Sequence, residues 1–312
     1  MFRPSVAVGS LIALSGLLPL GLYALAGSSL PVAPAPVLQP VPPLEQAALF
    51  LAVYAIKLTY MALAAGLILL LWKLPRLAAL TWGLIFFEFG EICCGLNILF
   101  FFEESPLLEY LHSWGMVVCL GFLAFAALEA LDHSLLHFSD PTGRCALLGI
   151  CLGCAKHKDA PCALRRLYLG MIPMLGLLAL MPLNAQAQAA SYNALIFGFL
   201  RNLSHPIVVQ VYEIRFCPLA SLLLLVLAWV FLALWKRPQE GLLKTSKILL
   251  AVALGHLGFA FMRLAFFGFY RPNLVWFLFW EELTELLLIA GLIYAVWLLR
   301  PDAPRRLKAF LA

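Results

Sequence analysis

Four cysteines, Cys145, Cys151, Cys154 and Cys162, fall in one short basic stretch with the spacing C-x5-C-x2-C-x7-C. Thiolates at that density bind zinc or an iron–sulfur cluster. The C-x2-C core lets two sulfurs reach one ion or one cluster iron, and the flanking cysteines close the site. Gly149 and Gly153 allow the tight turns this needs. Lys156, His157, Lys158, Arg165 and Arg166 supply positive charge that favours thiolate over thiol. His157 is itself a candidate ligand. His133 and His137 precede the loop by a few residues and, with Glu129, lie four apart on one helical face. They can form a second metal site, extend the first, or simply be interfacial polar groups at a helix end.

A second set of chemistry-bearing residues lies inside otherwise apolar segments. FFEFGEICCGLN carries Glu88 and Glu91, and FWEELTELLL carries Glu281, Glu282 and Glu285. Glu129, His256, Arg263 and Lys57 occupy similar surroundings. An ionisable group at such depth costs at least ~2.5 kcal/mol on insertion scales, so it faces a partner or a cavity and marks function. Six of these residues are acids, against two bases and one histidine. Full ionisation would leave uncompensated negative charge in a low dielectric. Either several glutamates are protonated or bound cations balance them, and both outcomes point to proton or metal handling.

The elements that must position these residues follow from composition. The chain is 64% hydrophobic and 12% charged with a mean hydropathy of +0.97, against roughly 25% charged residues in soluble domains. Apolar runs long enough to cross the bilayer as helices recur at about 5–27, 47–72, 80–102, 114–132, 168–186, 219–235, 247–269 and 274–299. They do not alternate as barrel strands do. The expected fold is therefore an all-α integral membrane protein of about eight transmembrane helices.

Lys and Arg fall in alternate loops, at Lys73 and Arg76, Arg144–Arg166, Lys236–Lys247 and Arg300–Lys308. This predicts cytoplasmic N- and C-termini and a cytoplasmic cysteine loop in a bacterial inner (plasma) membrane. The net charge of +5 is then an orientation signal and not a nucleic-acid footprint. Residues 1–26 read as a retained first helix or a cleaved secretory signal, and the Pro-rich run 28–46 as an extended outer linker. The segment 193–218 is too apolar for an idle loop and is expected to be interfacial or re-entrant.

Shifting the chain by 163 positions aligns Trp72-Lys73-Leu74-Pro75 with Trp235-Lys236-Arg237-Pro238. This suggests a 4+4 parallel repeat. The expected units are a first membrane half, 1–132, a cytoplasmic Cys/His-rich loop, 133–167, and a second membrane half, 168–312. The cysteine spacing resembles that of single-loop four-iron clusters such as those of endonuclease III-type glycosylases, which implies a 4Fe–4S cluster. It differs by one residue in the first gap and two in the last, and nothing else in the chain is similar.

Two functions fit these residues. In the first, a cytoplasmic iron–sulfur centre passes electrons to a quinone or a redox partner protein, while Glu285, Glu91, Glu88 and Glu129 relay protons. In the second, the same glutamates and His256 bind a metal cation or protons in a transporter, and zinc stabilises the loop. A structural subunit of a larger membrane complex is the third alternative. No nucleotide-binding loop or H-E-x-x-H metalloprotease motif is present, which argues against ATP-driven pumping and hydrolysis. Haem is not expected, because His256 has no second histidine at matching depth.

Anaerobic purification separates the loop chemistries. Iron with acid-labile sulfide and broad visible absorbance is expected from the cluster. Stoichiometric zinc in a colourless protein would assign the loop to zinc instead.

Overall fold

In hydrocarbon no water is available to bond backbone N–H and C=O groups, so an apolar chain satisfies them internally as helix. The structure, a computed structural model, describes residues 6–26, 37–72, 74, 77–101, 105–137, 163–184, 190–205, 207–235, 240–270 and 272–299. Cys145, Cys151, Cys154, Cys162 and His157 lie outside the described residues, as does the Pro-rich run before Val37.

Helices α1 (Val6–Ser15) and α2 (Leu18–Ala26) form one rod broken at Gly16. Helix α3 (Pro43–Phe50) passes through a π-helical turn, Leu51–Ile56, into α4 (Lys57–Leu71). Then come α5 (Ala78–Phe101), α6 (Pro106–Leu131), α7 (Ala163–Leu180), α8 (Ile207–Val211), α9 (Cys217–Leu234), α10 (Glu240–Tyr270) and α11 (Leu274–Leu299). A second π turn, Asp132–Leu136, extends α6, and a third, Tyr212–Phe216, joins α8 to α9. Among the described residues, 7 helices are long and apolar enough to cross a membrane. Helix α11, 26 residues with three glutamates in its first half, packs against α3, α4 and α10. Large apolar side chains such as Leu58, Leu69, Leu99, Leu177 and Leu287 stay exposed on the outside of the bundle, as lipid contact requires.

One end of the bundle carries a three-stranded sheet in the order β1-β2-β3, which the helical pattern did not predict. Strand β1 (Val37–Gln39) pairs parallel with β2 (Ala190–Ile196), and β2 pairs antiparallel with β3 (Phe199–His205). The expected interfacial segment 193–218 therefore divides into a hairpin and the first turns leading to α9. Alternation explains the strands: Tyr192, Ala194, Ile196, Leu203 and His205 are buried, while Leu195 and Leu200 are exposed. The two-residue turn has φ 49° at Phe197 and 86° at Gly198, the doubly positive pattern of a type I′ hairpin. Gln46 Oε1 accepts from the Phe197 N–H at 2.9 Å and ties the turn to α3.

Two glycine crossings set how closely the central helices approach. A Cβ on Gly115 of α6 would lie 2.7 Å from Phe86 O and 2.8 Å from Gly90 Cα of α5. A Cβ on Gly255 of α10 would lie 2.6 Å from Gly121 N of α6 and 3.0 Å from Val117 O. Lipid tails are as apolar as the helix faces, so such backbone contact supplies packing that burial alone does not. The helices of residues 6–131 and 163–299 are thereby interleaved, with α6 lying along α10 and α4 against α11.

Because the atoms around Gly255 are backbone and cannot swing away, Gly255→Val should cost about 1–3 kcal/mol or more. A fall in the thermal midpoint of the detergent-solubilised protein would read this out. Gly258→Ala on the same helix, where nothing lies within 4 Å, should leave the midpoint nearly unchanged.

Candidate functional site

Most of the buried charge converges on the half of the bundle nearer the sheet. Lys57 and Tyr60 lie three apart at the start of α4 and so share a face. Lys57 Nζ donates to Glu91 Oε2 on α5 at 2.5 Å, to Glu282 Oε1 on α11 at 3.0 Å and to Tyr60 Oη at 3.0 Å. Cys94 Sγ lies 3.5 Å from the same ammonium. Tyr60 Oη bonds both Glu91 Oε2 and Glu282 Oε2, the latter at 2.7 Å.

A second knot forms around Arg263 of α10. Its Nη1 bonds Glu281 Oε1 of α11. Its Nε lies 3.1 Å from Glu213 Oε1, an ion pair without the alignment of a hydrogen bond. Its Nη2 is 3.3 Å from His112 Nε2. Glu213 also accepts from Ser113 Oγ at 3.1 Å and meets His205 Nε2 at 3.0 Å. His112 Nδ1 lies 3.2 Å from Gly90 O and 3.4 Å from Glu91 Oε1, which joins the two knots. The Gly90–Gly115 crossing lets α5 and α6 come close enough for that contact.

The π turns place two members of this network. The N–H of Lys57 bonds Ala52 O and that of Cys217 bonds Tyr212 O, both i→i−5. Lys57 emerges directly from the first wide turn, and Glu213 lies within the other. Such bulges are enriched at functional sites.

Five buried carboxyl groups, Glu91, Glu213, Glu281, Glu282 and Glu285, thus share a core with Lys57, Arg263, His112 and His205. Even with both imidazoles charged, one carboxylate would lack a counter-charge. An arginine can only donate, so its contact assigns His112 Nε2 as acceptor and leaves the imidazole neutral with its proton on Nδ1. The deficit then grows to at least two. Glu91 Oε1 and Glu285 Oε2 have no hydrogen-bond partner among the described residues.

One donor atom each of Glu91, His112 and Glu285 falls within 4.8 Å of the other two, a spacing that a shared cation would fit. The fixed charge of Arg263 beside the imidazole, and the engagement of both ring nitrogens, oppose a metal ion there. Protons meet the same charge requirement without displacing either contact.

The other expected site residues lie elsewhere. Glu88 is half-buried on α5, three residues before Glu91, and its Oε1 has no hydrogen-bond partner among the described residues. His256 lies apart from the network, with Nδ1 2.9 Å from Val252 O of its own helix. Glu129 and Asp132 both pair with Lys247 at the opposite end of the bundle, Asp132 at 2.8 Å. A pocket there is lined by Leu128, Tyr168, Ile172, Leu243 and Ser246. His133 is exposed on the π turn after α6, and His137 closes that turn with φ 47°.

Tyr60, His112, Ser113, His205 and Glu213 join the core without having been predicted as site residues. The K-x-x-Y spacing of Lys57 and Tyr60 and the polar pair His112-Ser113 in an apolar helix were available signals. No family model, curated protein or solved structure matches this chain.

His205, on β3, lies outside the membrane-spanning helices. Burial pulls its imidazolium down, but the Glu213 carboxylate more than offsets this and holds the group above its ordinary 6.5. A raised folded value contributes stability that is fully present below the unfolded value and lost as pH rises through the folded one. The thermal midpoint should therefore contain a component that declines as pH is raised above 6.5. His205→Gln should abolish that component while a smaller, pH-independent loss remains.

Proposed function

We propose that this protein is a transporter that moves protons through its membrane-embedded carboxylate core. The observation that carries this reading is the charge deficit: more carboxyl groups than basic side chains are packed together, and among the described residues Glu91 Oε1 and Glu285 Oε2 have no hydrogen-bond partner. Protons on those groups make the core neutral, and their release and return are the transport event. The expected topology of eight crossings, with both termini and the 133–167 loop cytoplasmic, opens the sheet end toward the outside. Glu281, Glu282, Arg263, Glu213 and His205 then stand nearer the outer entry, with Glu91 and Glu285 toward the midplane.

A second reading rests on a different observation, the C-x5-C-x2-C-x7-C spacing of Cys145, Cys151, Cys154 and Cys162. In it, the four cysteines hold an iron–sulfur cluster that exchanges electrons with a quinone or a partner protein, and the core supplies the accompanying protons. Zinc in that loop would leave the transport reading alone.

Proteoliposomes enclosing a pH-sensitive dye test the proposal. Under an inward proton gradient with the membrane potential clamped, wild-type vesicles should acidify faster than protein-free ones. Glu285→Gln or Glu91→Gln should slow this by about 10²-fold, the lower scale of a lost proton-transfer group. Equal acidification of wild-type and empty vesicles, with or without divalent cations, would overturn the proposal.

A further inference from the structure

Hydrogen-bond arithmetic at Tyr60 locates one of the protons. Glu91 Oε2, Tyr60 Oη and Glu282 Oε2 form a chain of three oxygens with the phenol in the middle, both gaps within hydrogen-bond distance. A phenol carries one hydrogen, so it can donate to only one of the two carboxyl oxygens. Lys57 Nζ touches all three residues, Glu282 Oε2 included at 3.3 Å, but an N–H hydrogen stays on its nitrogen and cannot bridge the gap between two oxygens. The remaining oxygen–oxygen gap needs a proton of its own, and only a protonated carboxyl group can supply it. Tyr60 Oη then donates once, accepts once from Lys57 and accepts once from a carboxylic acid, which fills its capacity.

We infer that Glu91, Tyr60 and Glu282 form a proton-transfer triad in which the Tyr60 hydroxyl passes a proton between α5 and α11. This rests on the proton-handling reading and names the group that performs the transfer. In the step, the Glu282 Oε2–H bond breaks as that proton bonds Tyr60 Oη. The original Tyr60 Oη–H bond breaks as its proton bonds Glu91 Oε2. The phenol begins and ends with one hydrogen, and one proton has moved from Glu282 to Glu91. Lys57 stays charged and bonds both acids, so it stabilises whichever one is ionised and keeps the two end states close in energy. The groups facing the triad are Cys94 and Glu88 of α5, His112 of α6, and Glu281 and Glu285 of α11, with Arg263 of α10 behind His112 and Glu281. Glu285, three residues along α11 on the same face as Glu282, has an Oε2 with no hydrogen-bond partner among the described residues, the next acceptor toward the middle of the bilayer.

Infrared difference spectra of the full-length protein in lipid, recorded between acid and neutral pH, read the shared proton directly. Wild type should show a carboxylic-acid C=O band at neutral pH that shifts in D2O. Glu282→Gln and Glu91→Gln should each remove that component, and Tyr60→Phe should shift it while slowing proton flux by at least ~10-fold. Where Tyr60→Phe does not fold, the two glutamate variants decide. A band unchanged in both glutamate variants would overturn the triad, even if proteoliposomes carry protons. A band that responds as expected in a protein without proton flux would leave the triad standing and remove the transport reading.

Discussion

A single buried ammonium fixes the relation of three helices. Lys57 reaches Glu91 on α5 and Glu282 on α11 from the start of α4, with Tyr60 closing the gap between the two acids. Taking these charges out of water is costly, and removing one partner of such a set commonly costs about 3–5 kcal/mol because the other is left uncompensated. Arg263 repeats the arrangement a short distance away, binding Glu281 and Glu213 from different elements. Apolar faces cannot distinguish protein from lipid strongly, so these two cations and the glycine crossings define which helix lies beside which.

Closeness and charge depend on each other here. His112 meets the Gly90 carbonyl and Glu91 only because Gly90 and Gly115 let two backbones touch. A side chain at either position would push α5 and α6 apart and break the link between the Lys57 and Arg263 knots. The small residues in α5, α6 and α10 thus act on the electrostatics without carrying any charge.

Much of this could be read from the sequence. The apolar runs gave the helical membrane class, and the glutamates within them marked Glu91, Glu281, Glu282 and Glu285 as anomalies requiring partners. The carboxylate excess is also present in the structure, although its membership differs. Glu129 left the set, because Lys247 lies close enough in space to pair with it, which linear order does not show. Glu213 and His205 entered it, because the segment that carries them folds into a hairpin and a π turn aimed at the core and not along the surface. The alternation in Tyr192–Ile196 signalled a strand, but its apolar character masked that signal.

The wide turn at Leu51–Ile56 has a mechanical corollary. A π turn holds one residue more than the α turn it replaces, and successive α-helical residues are rotated by about 100° about the axis. Removing that surplus residue would change the rotation of α4 relative to α3, and the ammonium at position 57 would lose its alignment with Glu91 and Glu282. The azimuth of α4 is therefore set by a one-residue insertion near its entry, like a shim that holds a key at the angle where it meets its lock.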